Sequence, residues 1–310
     1  MKILHQPLDL YQYALHRETD TNMFTIIGIA VVLGSVISGY AIGKGNFSVL
    51  FQPAEVLIIF GSAIGSLIIS SPGKALKVIV GHLGSIFSES HLNKAHYLEL
   101  LLLMNAVFFK IKKEGLVAIE SDIENHEKSP LFQKYANIMK DREAADFICD
   151  TVRTMLSANY PAYELDNLME IDLDANQHER MLPAHSIARI GDALPGLGIV
   201  AAVLGIVITM GYINESAEVL GHHIGAALVG TFFGVLACYG FVGPMGTKLE
   251  HHAQERETYL RVIKTSLLAA YSTSFMVQFA VEAGRRAIPG DDRPSFAETE
   301  EAIKKWKTKA

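Results

Sequence analysis

The chain has 310 residues, of which 50% are hydrophobic, and 33 acidic side chains outnumber 27 basic ones to leave a formal net charge of -6. That balance, with no basic patch interleaved with aromatics, argues against a nucleic-acid partner. The two cysteines, Cys149 and Cys238, form neither a disulfide framework nor a zinc spacing, and as reduced thiols they fit a cytoplasmic soluble part.

Residues 1–22 contain Asp9, Arg17, Glu18 and Asp20 and lack the apolar centre of a secretory signal. Two readings stand for them: a mis-assigned start ahead of Met23, or a cytoplasmic extension with a short helix around Leu8–Leu15. Crossing the hydrocarbon takes roughly 20 apolar residues. Residues 24–43, 194–213 and 224–246 meet that length. Residues 56–71 come close, with Glu55 at one edge and Pro72 at the other, and read as a tilted or partly interfacial span, the alternative being a buried soluble helix. Lysine and arginine set orientation. Lys74, Lys77, Arg189 and Lys248 flank one side, whereas the loop 214–223 has neither residue. The expectation is an inner-membrane protein with both termini cytoplasmic.

The expected fold is an all-α integral membrane protein. Four transmembrane helices carry a helical cytoplasmic insert between spans two and three and a helical cytoplasmic tail. The expected divisions are an extension at 1–22, a hairpin at 23–71, an insert at 72–193, a second hairpin at 194–246 and a tail at 247–310. In the insert, Tyr97, Leu100, Leu101, Met104, Val107, Phe108 and Ile111 recur at helical intervals over 94–119. "ESDIENHEKSPLF" reads as a turn region. Helical patterning resumes over 141–158 and 186–190. "MEIDLDANQHERMLP" reads as a solvated acidic turn. The tail reads as one helix from Lys248 to about Arg286, broken by "PGDDRP". Ser295 and Glu298 then form a capping box for a last helix ending near Lys307.

Spans three and four have faces of small residues. Gly198, Ala202, Gly205 and Thr209 fall at i, i+4, i+7 and i+11, and Ala227, Thr231, Gly234 and Cys238 repeat the spacing. Gly230 with Gly234, and Gly61 with Gly65, form GxxxG pairs. Such faces serve either tight helix packing, the commoner case, or the surround of another helix or a narrow pore. Neither span has an ionisable residue in its apolar centre, so a titrating group is expected from another chain. The polar candidates left are Thr209, Thr231 and Tyr239. Pro195 and Pro244 start or kink helices near the ends of these spans. The pairs His222–His223 and His251–His252 have no chelating spacing, so no metal is expected, and His222 and His223 read as interfacial polar residues. Without a Walker loop, nucleophile elbow or HExxH, no catalytic residue is expected and the chain does not read as an enzyme.

"GDALPGLGIVAAVLGIVITMG", "HIGAALVGTFFGVLACYGFVGP", "FQPAEVLIIFGSAIGSLI" and "RPSFAETEEAIK" together resemble the MotA-type stator proteins of the flagellar motor, in the MotA/TolQ/ExbB proton-channel family. The resemblance runs from Met23 to the C-terminus. It implies a pentamer of such chains around a dimer of MotB, a single-span partner that supplies the ion-binding aspartate. Proton flow would then turn the ring against the rotor protein FliG. The proton is the transported ion, and no cofactor is implied. Pro195 and Pro244 match the family's coupling prolines, and Ala202 and Thr231 the positions lining the ion path. "KKEGLVAIESDIEN" is similar to the torque segment, with Lys112 and Glu120 at its rotor-binding charges. The family often has arginine at the first position. Lysine keeps the charge and loses the planar fork, and Lys113 is placed to share the role. The run Val200–Val203 has no hydroxyl to replace sodium's hydration, which favours protons. Two alternatives remain: an ExbB- or TolQ-like energiser of envelope processes, and a non-conducting membrane scaffold.

Overall fold

The computed structural model describes residues 7–87 and 92–309, and every described element is helical. The helices are α1 (Pro7–Ile42), α2 (Phe47–Leu50), α3 (Pro53–Ser70), α4 (Gly73–Leu83), α5 (Lys94–Glu114), α6 (Glu120–Glu124) and α7 (Ala136–Lys140). They continue with α8 (Arg142–Ser157), α9 (Ala162–Met210), α10 (Ala217–Ala237), α11 (Gly243–Ser272), α12 (Val277–Ala287) and α13 (Phe296–Lys309). Of the expected extension, residues 1–6 lie outside the described residues. Leu8–Leu15 belongs to the start of α1, not to a separate short helix.

Four helical stretches are long and apolar enough to cross a membrane: Met23–Ile42, Phe47–Ser70, Ala162–Met210 and Ala217–Ser272. The all-α membrane fold therefore holds. The second stretch starts nine residues before the expected 56, so Glu55 lies inside it and not at its edge. Pro53, in the first turn of α3, explains the early start: its fixed φ suits a helix beginning and its missing N–H costs nothing there.

The chain folds as two compact units. The spanning unit comprises Arg17–Glu89 and Arg180–His252, and so reaches past the expected hairpins 23–71 and 194–246. Its interior is small: Ile59, Ala63, Leu194, Ala201, Ala237 and Cys238 form one buried cluster. None of the apolar window of α1 is buried, so that helix presents an apolar surface all along its spanning part.

The second unit is built on Ser90–Glu179 and Ala253–Ala310. Its core joins Leu100, Met104 and Phe108 of α5 to Ile148 and Val152 of α8, Leu165 and Leu173 of α9, and Tyr259 and Ile263 of α11. Each such burial contributes about 1.5–3 kcal/mol. Local signals set the helix ends. Asn93 caps α5 by accepting from the His96 N–H at 3.0 Å. Gly115, at φ 90, stops α5 and turns the chain away, a backbone conformation that favours glycine. Asp141 caps α8 through the Ala144 N–H at 3.2 Å, and Arg256 of α11 reaches both Asp141 and Glu143.

Three expectations need correction. "ESDIENHEKSPLF" is not a plain turn: it forms α6 and short 3-10 turns, held by buried Asp122, which accepts from Ser129 Oγ at 2.6 Å and pairs with Lys110. The acidic run 169–183 is continuous helix within α9. There Leu165, Met169 and Leu173 recur at i, i+4 and i+8 and are buried. Lys264 meets Asp166 at 2.7 Å and also pairs with Glu170, which Arg261 approaches to 2.9 Å. The tail is not one helix: it breaks first at Ser272 and resumes as α12, which ends at Ala287 just before "PGDDRP", as expected. Ser274 and Phe275 take φ of 50 and 59, and the hydroxyls of Ser272 and Thr273 each donate at 2.7 Å to carbonyls four residues back.

The capping box of α13 forms as expected. The Ser295 N–H donates to Glu298 at 2.7 Å, and the Glu298 N–H donates to Ser295 Oγ at 3.2 Å. Lys94 of α5 adds a bond at 2.8 Å. The Lys94 contact and then the Ser295 N–H hold the Glu298 carboxyl down at about 2. A depressed folded value stabilises above the ordinary glutamate value of 4.5 and is lost as pH falls toward about 2. We therefore expect hydrogen exchange in α13 to quicken on acidification through that interval, with Lys94→Ala flattening the dependence.

Candidate functional site

In the spanning unit the two small-residue faces meet each other. A Cβ built on Gly198 of α9 would lie 2.7 Å from the Gly230 carbonyl oxygen and 3.1 Å from the Gly234 Cα of α10. One built on Gly205 would lie 2.8 Å from the Ala227 Cβ. Backbone therefore packs on backbone, and the tight-packing reading accounts for these faces. The other GxxxG pair differs: the Cβ positions of Gly61 and Gly65 meet nothing within 4 Å.

Ala202 lies on the buried side of α9, 7% exposed. Thr209 is 1% exposed and its hydroxyl donates to the Gly205 carbonyl at 2.7 Å. Thr231 is half-buried, with its Cα against Gly198. Tyr239 is exposed. On the far side of α9, Val200, Val203, Leu204 and Val207 are exposed at i, i+3, i+4 and i+7. That apolar stripe is the surface α9 has left to offer another helix or lipid.

Glu55 is the site residue that sequence reasoning missed. It sits in the first turn of α3, is 7% exposed, and its buried Oε2 has no hydrogen-bond partner. Oε1 lies 3.1 Å from a Cβ position on Gly205, and Oε2 presses on that of Gly230. The carboxyl thus ends in the α9–α10 seam, at a level where both helices have glycine. The sequence signal was the proline two residues earlier, which begins the helix before the hydropathy window does.

The two prolines occupy different settings. Pro195 is half-buried inside α9, which runs through it without a break. Its ring removes one rung of the helix ladder and leaves a carbonyl of the preceding turn without its helical donor. Pro244 is exposed and follows a π-helical segment, Cys238–Val242, where the Gly243 N–H donates to the Cys238 carbonyl. A π segment fits an extra residue into the turn, which underwinds the helix locally, and such segments occur frequently at functional sites. The segment borders a cavity of about 320 Å³ lined by Phe24, Val32, Tyr239, Pro244 and Lys248, and Lys248 Nζ donates to Thr25 Oγ1 of α1 at 2.8 Å.

The charged segment of the second unit is laid out differently. Lys112 closes α5 and Glu120 opens α6, with Gly115 and a 3-10 turn, Leu116–Ile119, between them. Both side chains, and Lys113, are exposed, and among the described residues none has an ion-pair partner. Lys110, two residues earlier, is committed to Asp122. Ile111, Ile119 and Ile123 anchor the segment in the core, while Val117 at its tip is 72% exposed. The arrangement is a rigid ridge carrying free charges of both signs. Among the described residues no cluster of metal-ligand type occurs. His223 is half-buried and stacks on Tyr212 with ring centroids 4.3 Å apart.

Residues 26–115 match the model of the motility protein A N-terminal region, and residues 139–261 that of the MotA/TolQ/ExbB proton channel family. Motility protein A of Escherichia coli is 38% identical over 91% of this chain and 95% of its own length. The chain belongs to the MotA family.

Chemotaxis protein LafT of Vibrio parahaemolyticus is 34% identical over 92% of this chain and 98% of its own. Two solved structures share the fold. The C. jejuni MotAB structure gives a TM-score of 0.72 over 88% of this chain and 99% of that one, and the flagellar MotAB stator complex of Bacillus subtilis gives 0.67 over 90% and 97%. The MotA fold here depends on the α9–α10 contact. Gly234→Val puts methyls against Gly198 and the Leu194 carbonyl, at a cost of about 1–3 kcal/mol. We expect a clear drop in folded membrane protein on immunoblots and in swimming, whereas Gly221→Ala, which meets open space, should preserve both.

Proposed function

We propose that this chain is the MotA-type stator subunit of a bacterial flagellar motor, coupling proton flow to rotor torque. The observation that carries the reading is its relationship to motility protein A along nearly the whole chain. The geometry agrees. From the residue after Asp192 to Ala217, the acidic and basic residues are limited to Glu215, in the turn beyond α9. α9 therefore supplies no carboxylate to a proton path along its exposed stripe, and Glu55 is buried in the α9–α10 seam on its other side. A MotB-type single-span partner is the natural source of that carboxylate, as the MotAB name of the solved relatives suggests. The exposed stripe Val200, Val203, Leu204 and Val207 offers an apolar surface for such a helix, or for a neighbouring copy in a ring.

In this reading the protein lies in the inner membrane with both termini cytoplasmic, and Ala202 and Thr231 mark the level of the ion path. Pro195, a rung short in the ladder, and Pro244, beside the π segment, let the path and the helix ends move together. The chain acts through transport and force, without an enzymatic step. One elementary charge crossing 100 mV supplies about 2.3 kcal/mol. Lys112 and Glu120 deliver the force to the rotor protein FliG through charge pairs.

Two outcomes follow. Lys112→Glu and Glu120→Lys should each cut swimming speed severalfold while flagella still assemble, and a matched charge reversal on the rotor should restore part of it. Unchanged speed in both variants would remove the ridge from the coupling. Cells should also keep full speed in sodium-free buffer, and arrest there would assign the ion as sodium.

A further inference from the structure

We propose that Glu55 is a proton-binding site belonging to this chain, set in the α9–α10 seam, which takes up a proton and hands it on toward the partner's carboxylate. The hand-on step rests on the stator reading above; the binding site itself does not.

Glu55 is the single ionisable residue of α3, and its carboxyl is more than nine-tenths buried within a spanning segment. Among the described residues it has no ion-pair partner, and its Oε2 receives no hydrogen bond. A lone carboxylate without a partner is costly to bury, and such a group neutralises by taking a proton. Intramembrane carboxyls of this kind mark ion pathways more often than they serve packing. The packing gives a further reason. A Cβ on Gly205 or Gly230 would crowd the carboxyl, so the glycines leave the space it fills.

The ligand is a proton and not a metal cation. A desolvated cation needs several oxygen ligands. Here the carboxyl oxygens lie against Gly205 and Gly230, which bring no side-chain oxygen to share a cation with it. The other titratable groups on the packed elements are few. α9 has none between Asp192 and its end at Met210. α10 contributes Glu218 and His222, both exposed, and half-buried His223. His223, Ala227 and Gly230 fall at i, i+4 and i+7, so the imidazole shares the face of α10 that meets Glu55.

Infrared difference spectroscopy of the purified chain in lipid tests the binding site. A protonated-carboxyl carbonyl band should be present at neutral pH, vanish in Glu55→Gln and persist in the control Glu298→Gln. Absence of any Glu55-dependent band at neutral pH overturns the proposal. Proton flux through the reconstituted complex tests the hand-on step. Glu55→Gln should lose flux severalfold in alkaline buffer, where protons are scarce, and approach the parent in acid, with Glu55→Asp recovering part of the loss. Equal flux for Glu55→Gln and the parent at every pH would also overturn the proposal. If the parent complex carries no flux, the stator reading fails, and the infrared band alone decides whether Glu55 binds the proton.

Discussion

The close approach of α9 and α10 is the constraint on which the spanning unit depends. Gly198 faces Gly230 and Gly234 with no side chain between them, and Gly205 faces Ala227 in the same way. In a membrane the hydrophobic effect gives little drive to bring helices together, so contact area and backbone proximity must supply it. Glycine and alanine allow that proximity only where both helices carry them at the same level. The match holds for at least two turns here. The remaining features of the seam follow: Thr209 satisfies its hydroxyl on its own helix, and Glu55 from α3 fills the space the glycines leave.

Closing the small faces on each other changes what the chain offers to other molecules. The surfaces left for a further helix include the larger apolar stripe of α9, the unburied window of α1 and the exposed Leu57, Ile64 and Ile68 of α3. The residues matched to the ion path, Ala202 and Thr231, thus lie at the edge of an internal seam and not on an open groove. Any ion moving beside them passes a structure whose own carboxyl comes from the second span. The prolines sit where the helices can yield, one inside α9 and one after a π segment. The charged ridge of Lys112 and Glu120 is the opposite kind of feature, a surface whose charges have no ion-pair partner among the described residues while its isoleucines hold it to the core.

Much of this was legible in the sequence because it is local. The spacing of Tyr97 to Ile111 specifies α5, the Ser295–Glu298 box specifies α13, and four apolar windows specify the membrane fold. The failures have physical reasons. The acidic run 169–183 reads as a solvated turn until its partners are known, and Lys264 lies 94 residues beyond Glu170. The break at Ser274 and Phe275 has no glycine or proline to announce it. A hydropathy window stops at a charge, so Glu55 was left at the margin of its own helix. For the candidate site, the matched residues came from resemblance, whereas the partnering of the small faces came only with the fold.

On the stator reading, this chain forms a proton path only together with a partner that supplies an intramembrane carboxylate. Proton flux into liposomes containing the chain alone, and the chain co-reconstituted with its single-span partner, tests it most directly. The expected result is no flux above empty liposomes for the chain alone, and flux with the partner that disappears when the partner's carboxylate is replaced by its amide. Sustained flux through the chain alone would contradict it.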